Sequence, residues 1–171
     1  MGYDLTWSDA NAGKGWAAAG PNAPLSNLRD AVETTLRSCD PSKVWLLLPW
    51  YGRAFSCDGT DTPIQGNCSC SEKNFKKKSF ELLDAAFSAD CVGPWEAEAS
   101  AAFECPNGGG VPGLPTDVRM QAWYDTPETL SVKYALRDEY GLGGLGVWTA
   151  ASAGDASYAR NSDMWAALPR S

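Results

Sequence analysis

The 171-residue chain contains no histidine. That absence excludes Ser-His-Asp and Cys-His nucleophilic catalysis and most zinc sites, leaving carboxylates, Tyr, Trp, Arg, Lys and Cys to carry any chemistry. Basic residues are also scarce: 14 Lys and Arg stand against 21 Asp and Glu, a net charge of -7. Phosphate binding needs Lys and Arg clustered on one face, so nucleic acid is excluded as the expected partner. The one basic run, Lys76-Lys77-Lys78, reads as a solvated surface patch. Long hydrophobic runs are missing as well. The longest, Val44 to Pro49, is far too short to cross a bilayer, and no secretory signal opens the chain. No membrane span is expected.

What the chain does have is one domain's worth of length, an ordinary apolar content and eight tryptophans. Flat indole faces suit sugar rings, although Trp is also ordinary core filling. The six cysteines, Cys39, Cys57, Cys68, Cys70, Cys91 and Cys105, are an even count, five of them between 57 and 105 in a Gly- and Pro-rich region. They read as disulfide candidates in an oxidising compartment, with the pairing left open. Cys68 and Cys70 are too close in sequence to pair easily with each other. Asn67-Cys68-Ser69 is a formal glycosylation sequon.

The chain is organised around Lys43 to Arg53, KVWLLLPWYGR. A short unbroken apolar run that ends in Pro, aromatics and Gly reads as a strand buried on both faces. In helix-covered sheets, chemistry sits just past the carboxyl ends of such strands. Trp50, Tyr51 and Arg53 are therefore placed to meet a ligand. Upstream, the alternation in Met1 to Leu5 fits a strand stub, and a Gly-, Ala-, Asn- and Pro-rich loop follows to Pro24. Leu25, Leu28, Val32 and Leu36 recur at helical spacing, with Ser26 as candidate N-cap.

From Ser56 to about Val118, Cys, Gly, Pro and Ser dominate around one helical island, Ser79 to Phe87. Such a stretch is too long for a simple loop. It reads as a Cys-rich α+β insertion over 56–118, with the remaining strand-helix units in 1–55 and 119–171. Val118 to Tyr124 reads as a strand returning from it. Thr126-Pro127 opens a helix that Gly141 closes, with Val132, Ala135, Leu136 and Tyr140 inward and Lys133 toward solvent. Tyr124-Asp125 reads as turn and helix-entry chemistry. Gly144 to Trp148 is a second short strand, and Ser162 to Leu168 a last helix.

Taken in order, MGYD, KVWLLLPWYGR and QAWYDTPETLSVKYALRDEYGLGGLGVWTA resemble the last three strand units of a family 18 glycoside hydrolase, with the di-N-acetylchitobiase branch the nearest in look. The resemblance implies an α/β fold, part of a (β/α)8 TIM barrel. Such a barrel needs about 250 residues and at least about 200, so the chain resembles its carboxyl-terminal part. It also implies chitin or N-acetylglucosamine oligosaccharides as partners, retention through the substrate's own acetamido oxygen, no cofactor, and a secreted, vacuolar or lysosomal setting.

By the same resemblance, Tyr3 would be the catalytic-site residue that orients the acetamido oxygen. Asp4 would bond the sugar or pair with Arg53, Trp148 would floor the sugar, and Trp50 and Tyr51 would border the cleft. Arg53 departs from the chitobiase pattern toward that of chitinases proper. The family's acid motif, Asp-x-x-Asp-x-Asp-x-Glu, has no counterpart in this sequence. The alternatives are a lectin-like protein that holds chitin fragments without cutting them, or a truncated fragment. Without the resemblance, Trp148 reads equally as core filling or as a ligand contact, and Arg53 as half of a surface ion pair of little energetic value.

Overall fold

The computed structural model describes residues 1–5, 16–57, 68–71, 75–87, 91–106, 111, 113 and 116–169; Asn67 of the sequon lies outside them. In chain order the elements are β1 (Trp16–Ala18), α1 (Leu25–Leu36), β2 (Trp45–Pro49), β3 (Tyr51–Ser56), β4 (Ser69–Ser71), β5 (Phe75–Ser79), α2 (Phe80–Ala86), β6 (Val92–Ala97), β7 (Ser100–Cys105), β8 (Met120–Tyr124), α3 (Pro127–Tyr134), α4 (Leu136–Tyr140), β9 (Gly144–Trp148) and α5 (Asn161–Ala166). No helix among the described residues is long and apolar enough to cross a membrane.

Two sheets position the site. In the first, β2 and β9 run parallel, from Trp45 opposite Gly144 to Pro49 opposite Trp148. In the second, five antiparallel strands take the order β5-β3-β8-β7-β6. The chain thus leaves the parallel pair at Trp50 and enters the antiparallel sheet at once, as β3. A third pairing joins β1 to β4. The strands β1 and β3 were not foreseen. The Tyr51–Ser56 stretch hides its character because its buried residues include Arg53 and Ser56, which carry no apolar signal.

The apolar core joins the parallel pair to one face of the large sheet. Leu28 and Val32 of α1, Leu48 of β2, Phe80 and Leu83 of α2, Phe103 and Met120 of the sheet, and Leu130 and Leu136 of the later helices belong to one buried cluster. Each fully buried Leu contributes about 1.5–3 kcal/mol of transfer free energy. The Leu25–Leu36 spacing thus delivers its stripe as expected. The strand β2 is buried less evenly than its composition suggests: Trp45 is exposed and Leu47 half-buried.

Several local expectations are corrected. Met1 to Leu5 is not a strand. It is tied down by single bonds, Gly2 N–H to the Leu47 carbonyl (2.8 Å) and Leu5 N–H to the Asn22 carbonyl (3.1 Å). Glycine fits closely at position 2: a Cβ there would lie 2.7 Å from Leu28 Cδ2 and 2.8 Å from Leu46 Cδ1, so those side chains would have to shift. Ser26 does not cap α1; the N-cap is Pro24, which supplies no side-chain bond. The cap comes from far along the chain. Glu98 accepts from Leu25 N–H through its carbonyl (3.1 Å) and from Ser26 N–H through its carboxylate (3.0 Å).

Thr126 does cap α3, in a reciprocal capping box with Thr129, and Gly141 ends α4 in the left-handed conformation at φ 65°. The helix breaks at Ala135, however, which leaves Val132 and Ala135 exposed. Lys133 faces inward instead, 2.5 Å from Asp125 Oδ1 and 2.8 Å from Ser100 Oγ, with no exposed surface. Its solvent-facing assignment and the turn-only role of Asp125 both give way to a buried ion pair that joins α3 to the ends of β7 and β8. Burial pulls the Lys133 ammonium below the ordinary lysine range, against the opposing pull of Asp125.

Of the six cysteines, four form disulfides, Cys57–Cys68 and Cys91–Cys105. Cys39 and Cys70 take part in neither bridge: Cys39 is exposed beyond α1 and Cys70 is buried in β4. A disulfide framework using all six cysteines is therefore not what this fold makes.

Candidate functional site

The strands β2 and β9 end side by side, and the chain immediately past them supplies Tyr51 and Thr149. Trp50 N–H donates to the Trp148 carbonyl at 2.9 Å, which locks the two carboxyl ends together. A cavity of about 250 Å³ opens there, lined by Tyr51, Lys77, Lys78, Ser79, Trp148, Thr149 and Ser152. Trp148 is 52% exposed. Its ring lies nearly parallel to that of Tyr3, at 19° with centroids 6.3 Å apart, and Tyr3 in turn meets Tyr51 edge-on, also at 6.3 Å. The Tyr3 hydroxyl donates to Met1 Sδ at 2.9 Å.

Beside these rings, Asp4 collects three donors from two strands, β3 and β5. Its Oδ1 accepts from the Tyr51 hydroxyl (2.7 Å) and from Arg53 Nη2 (2.6 Å), and its Oδ2 accepts from Lys77 Nζ (2.8 Å). The backbone at Asp4 adopts φ 57°, in the left-handed region that Asp enters more readily than most residues. Asn22, itself buried, holds it there by accepting the Asp4 N–H at 2.8 Å. Burial raises the Asp4 carboxyl, but the bonds from Lys77, Tyr51 and Arg53 outweigh it, so the group titrates below the usual carboxylate range. Burial, with Asp4 adding to it, pushes the Tyr51 phenol up to about 12. At neutral pH, Asp4 is therefore an anion and Tyr51 a hydrogen-bond donor.

Of the residues singled out from the sequence, Tyr51 and Trp148 line the cavity, Tyr3 packs against both of them, and Asp4 joins Tyr51 to the buried Arg53. Trp50 is not part of this mouth. Successive residues of an extended chain point to opposite sides, and Trp50 turns into the core. It is 1% exposed, its Nε1–H donates to the Tyr134 hydroxyl at 2.8 Å, and its ring meets Trp165 edge-on at 4.8 Å. Arg53 is 3% exposed, so the reading of it as an exposed ion pair also fails. Trp148 in turn is not core filling.

Two residues at the mouth were missed. The basic run was read as solvated, yet Lys77 sits opposite Arg53 across the β3–β5 ladder and reaches Asp4. Alternation along 76–78 would have put Lys77 on a different face from its neighbours, but only the strand pairing shows which face. Asn22, in a Pro- and Ala-rich loop, carried no signal at all.

Comparison with known proteins agrees with this architecture. A family model described as Glycosyl hydrolases family 18 matches residues 1–153. The chain belongs to that family. It is similar to the probable di-N-acetylchitobiase 1 of Dictyostelium discoideum, 27% identical over 184 residues, which covers 98% of this chain and 47% of that protein. Among solved structures it resembles a chitinase from Chromobacterium violaceum (TM-score 0.67, 16% identity, 100% of this chain and 45% of that one). It also resembles a chitinase-like agglutinin from Robinia pseudoacacia (TM-score 0.64, 17% identity, 99% and 46%). The chain spans about half the length of the curated relatives it matches.

Proposed function

We propose that this chain forms the substrate-positioning wall of a hydrolase acting on N-acetylglucosamine linkages, built on the carboxyl-terminal strand units of a (β/α)8 barrel. The observation that carries the reading is a cavity lined by Tyr51 and Trp148 past the ends of two parallel strands, with Tyr3 packed against both rings and Asp4 bonded to Tyr51, the place where barrel enzymes do their chemistry. The exposed indole of Trp148 offers a flat floor for a sugar ring. Tyr3, exchanging its bond to Met1 Sδ for one to the ligand, gives its hydroxyl to the substrate's acetamido oxygen and holds that oxygen under the reacting carbon, a contribution of orientation. Asp4, kept ionised by its three donors, fixes Tyr51 and Arg53 and accepts from the sugar.

The stretch 1–171 holds no Asp-x-x-Asp-x-Asp-x-Glu run, so the proton donor to the leaving oxygen is not among these residues. A non-catalytic, lectin-like role is the second reading, because the exposed Trp148 indole and the anionic Asp4 would serve sugar binding alone equally well. The two disulfides fit an oxidising compartment, secreted, vacuolar or lysosomal.

Two measurements on the full chain test the proposal. Calorimetric titration with chitobiose is expected to show saturable binding that weakens about tenfold or more in Asp4→Asn, the loss of a charge-assisted bond. An absence of binding would overturn the reading. A fluorogenic chitobioside is expected to stay intact, and turnover would contradict the assignment of the donor elsewhere.

A further inference from the structure

Lys77 is the one donor to Asp4 that also faces the cavity as a half-exposed cation. An ammonium has three N–H donors. One goes to Asp4 Oδ2 at 2.8 Å, and the cation lies 5.0 Å from the centre of the Tyr51 ring. Among the described residues Asp4 is its one hydrogen-bond acceptor, and the side chain lines the cavity. The charges around it are lopsided. Among the described side chains that line the cavity or bond to its lining, Arg53, Lys77 and Lys78 are cations and Asp4 is an anion. Lys78 has no carboxylate within ion-pair reach among the described residues, and its Nζ lies beside Gly113. It also lines the cavity, but unlike Lys77 it does not bond to Asp4. This positive mouth belongs to a chain of net charge -7, so it is a local feature and not a reflection of bulk composition.

We propose that the site selects N-acetylhexosamine oligosaccharides that carry a carboxylate on the sugar, with Lys77 as the residue that reads the negative group. The inference rests on the sugar-binding reading above and names the substrate class within it. Asp4 engages Lys77 through one oxygen only and leaves the ammonium free to bridge to the ligand's carboxylate, while Trp148 and Tyr51 hold the ring.

The test is a titration of the full chain with two ligands: chitobiose, and C6-oxidised chitobiose, the same disaccharide with its primary alcohols converted to carboxylates. The oxidised form is expected to bind about fivefold more tightly at low salt, the scale of one partly screened ion pair. The ratio falls toward one as salt is raised. Lys77→Met lowers the ratio to near one, Lys77→Arg retains most of it, and Lys78→Met lowers it less than Lys77→Met. Should Lys77→Met lose both ligands, the retained ratio in Lys77→Arg and the salt dependence carry the result. Equal affinities in the unmodified chain, or a preference indifferent to salt, overturn this proposal while chitobiose binding leaves the broader reading intact. If neither disaccharide binds, the broader reading falls and this one with it.

Discussion

Arg53 Nη2 stands 2.6 Å from Asp4 Oδ1, with the guanidinium side chain 3% exposed and the carboxylate 33% exposed. The pair joins the amino-terminal segment to the first strand of the five-stranded sheet. It couples the residue beside Tyr3 to the residue two positions beyond Tyr51, and so ties together the two parts of the mouth. Removing the acceptor and removing the donor have different consequences.

Arg53→Met takes away a buried cation and leaves a partly exposed carboxylate with Lys77 and Tyr51. Loss of one partner from a fully buried pair costs 3–5 kcal/mol, and the exposure of Asp4 lowers that to about 2 kcal/mol. Urea denaturation measures it. A change under about 0.5 kcal/mol would mean the contact contributes nothing to the fold.

The pH dependence follows from the direction of the Asp4 shift. Its folded pKa lies below the ordinary value of 3.8. The stabilisation is therefore fully present above about 3.8 and is lost as the pH falls through the lower, folded value. Melting curves of the unmodified chain and Asp4→Asn should keep a constant separation from neutral pH down to about pH 5 and converge below about pH 4. A separation that persists unchanged into strong acid would contradict the ionised assignment.

The buried pair Lys133 and Asp125 gives a test of sign. Lys133→Met strands the Asp125 carboxylate, which keeps hydroxyl bonds from Ser100 (3.0 Å) and Thr129 (3.2 Å) but no cation. The expected cost is about 3 kcal/mol or more. The double variant Lys133→Met with Asp125→Asn removes the stranded charge and should be the more stable of the two, although the sites are in contact. Additive losses would show that the pair is not coupled.

The turn between β6 and β7 makes a further claim, because Glu98 (φ 53°) and Ala99 (φ 50°) both occupy the left-handed region without being glycine. Glu98→Ala removes the carboxylate that caps α1 and should cost about 1 kcal/mol. Ala99→Gly relieves the left-handed penalty and should stabilise by up to about 1 kcal/mol. Thermal denaturation of the two variants should move in opposite directions.

How much of this was legible in the sequence depends on the range of the signal. Local patterns carried the helices: the Leu28 and Val32 stripe, Thr126 as a cap, Gly141 as terminator. The strand β9 and most of the core strand β2 were read from short apolar runs. What failed depended on distant partners. Ser26 looked like a cap because the true one, Glu98, lies 72 residues away. Lys133 looked solvent-facing because its counter-charge belongs to the end of another strand. Lys77 looked like one of three equivalent surface lysines until the ladder set it opposite Arg53. At the site, alternation past Pro49 decides between neighbours: Tyr51 turns to the cavity and Trp50 to the core, a distinction that residue type alone could not make.

The most direct test of the account follows that last distinction. The chain has eight tryptophans, and each indole N–H gives its own resonance in a 15N-labelled sample. Trp148→Phe and Trp50→Phe assign two of them by disappearance. Added chitobiose should shift the Trp148 indole signal in a saturable manner and leave that of Trp50 in place. A Trp148 resonance that stays unmoved at saturating disaccharide, or a shift confined to Trp50, would contradict the assignment of a sugar floor at the end of β9.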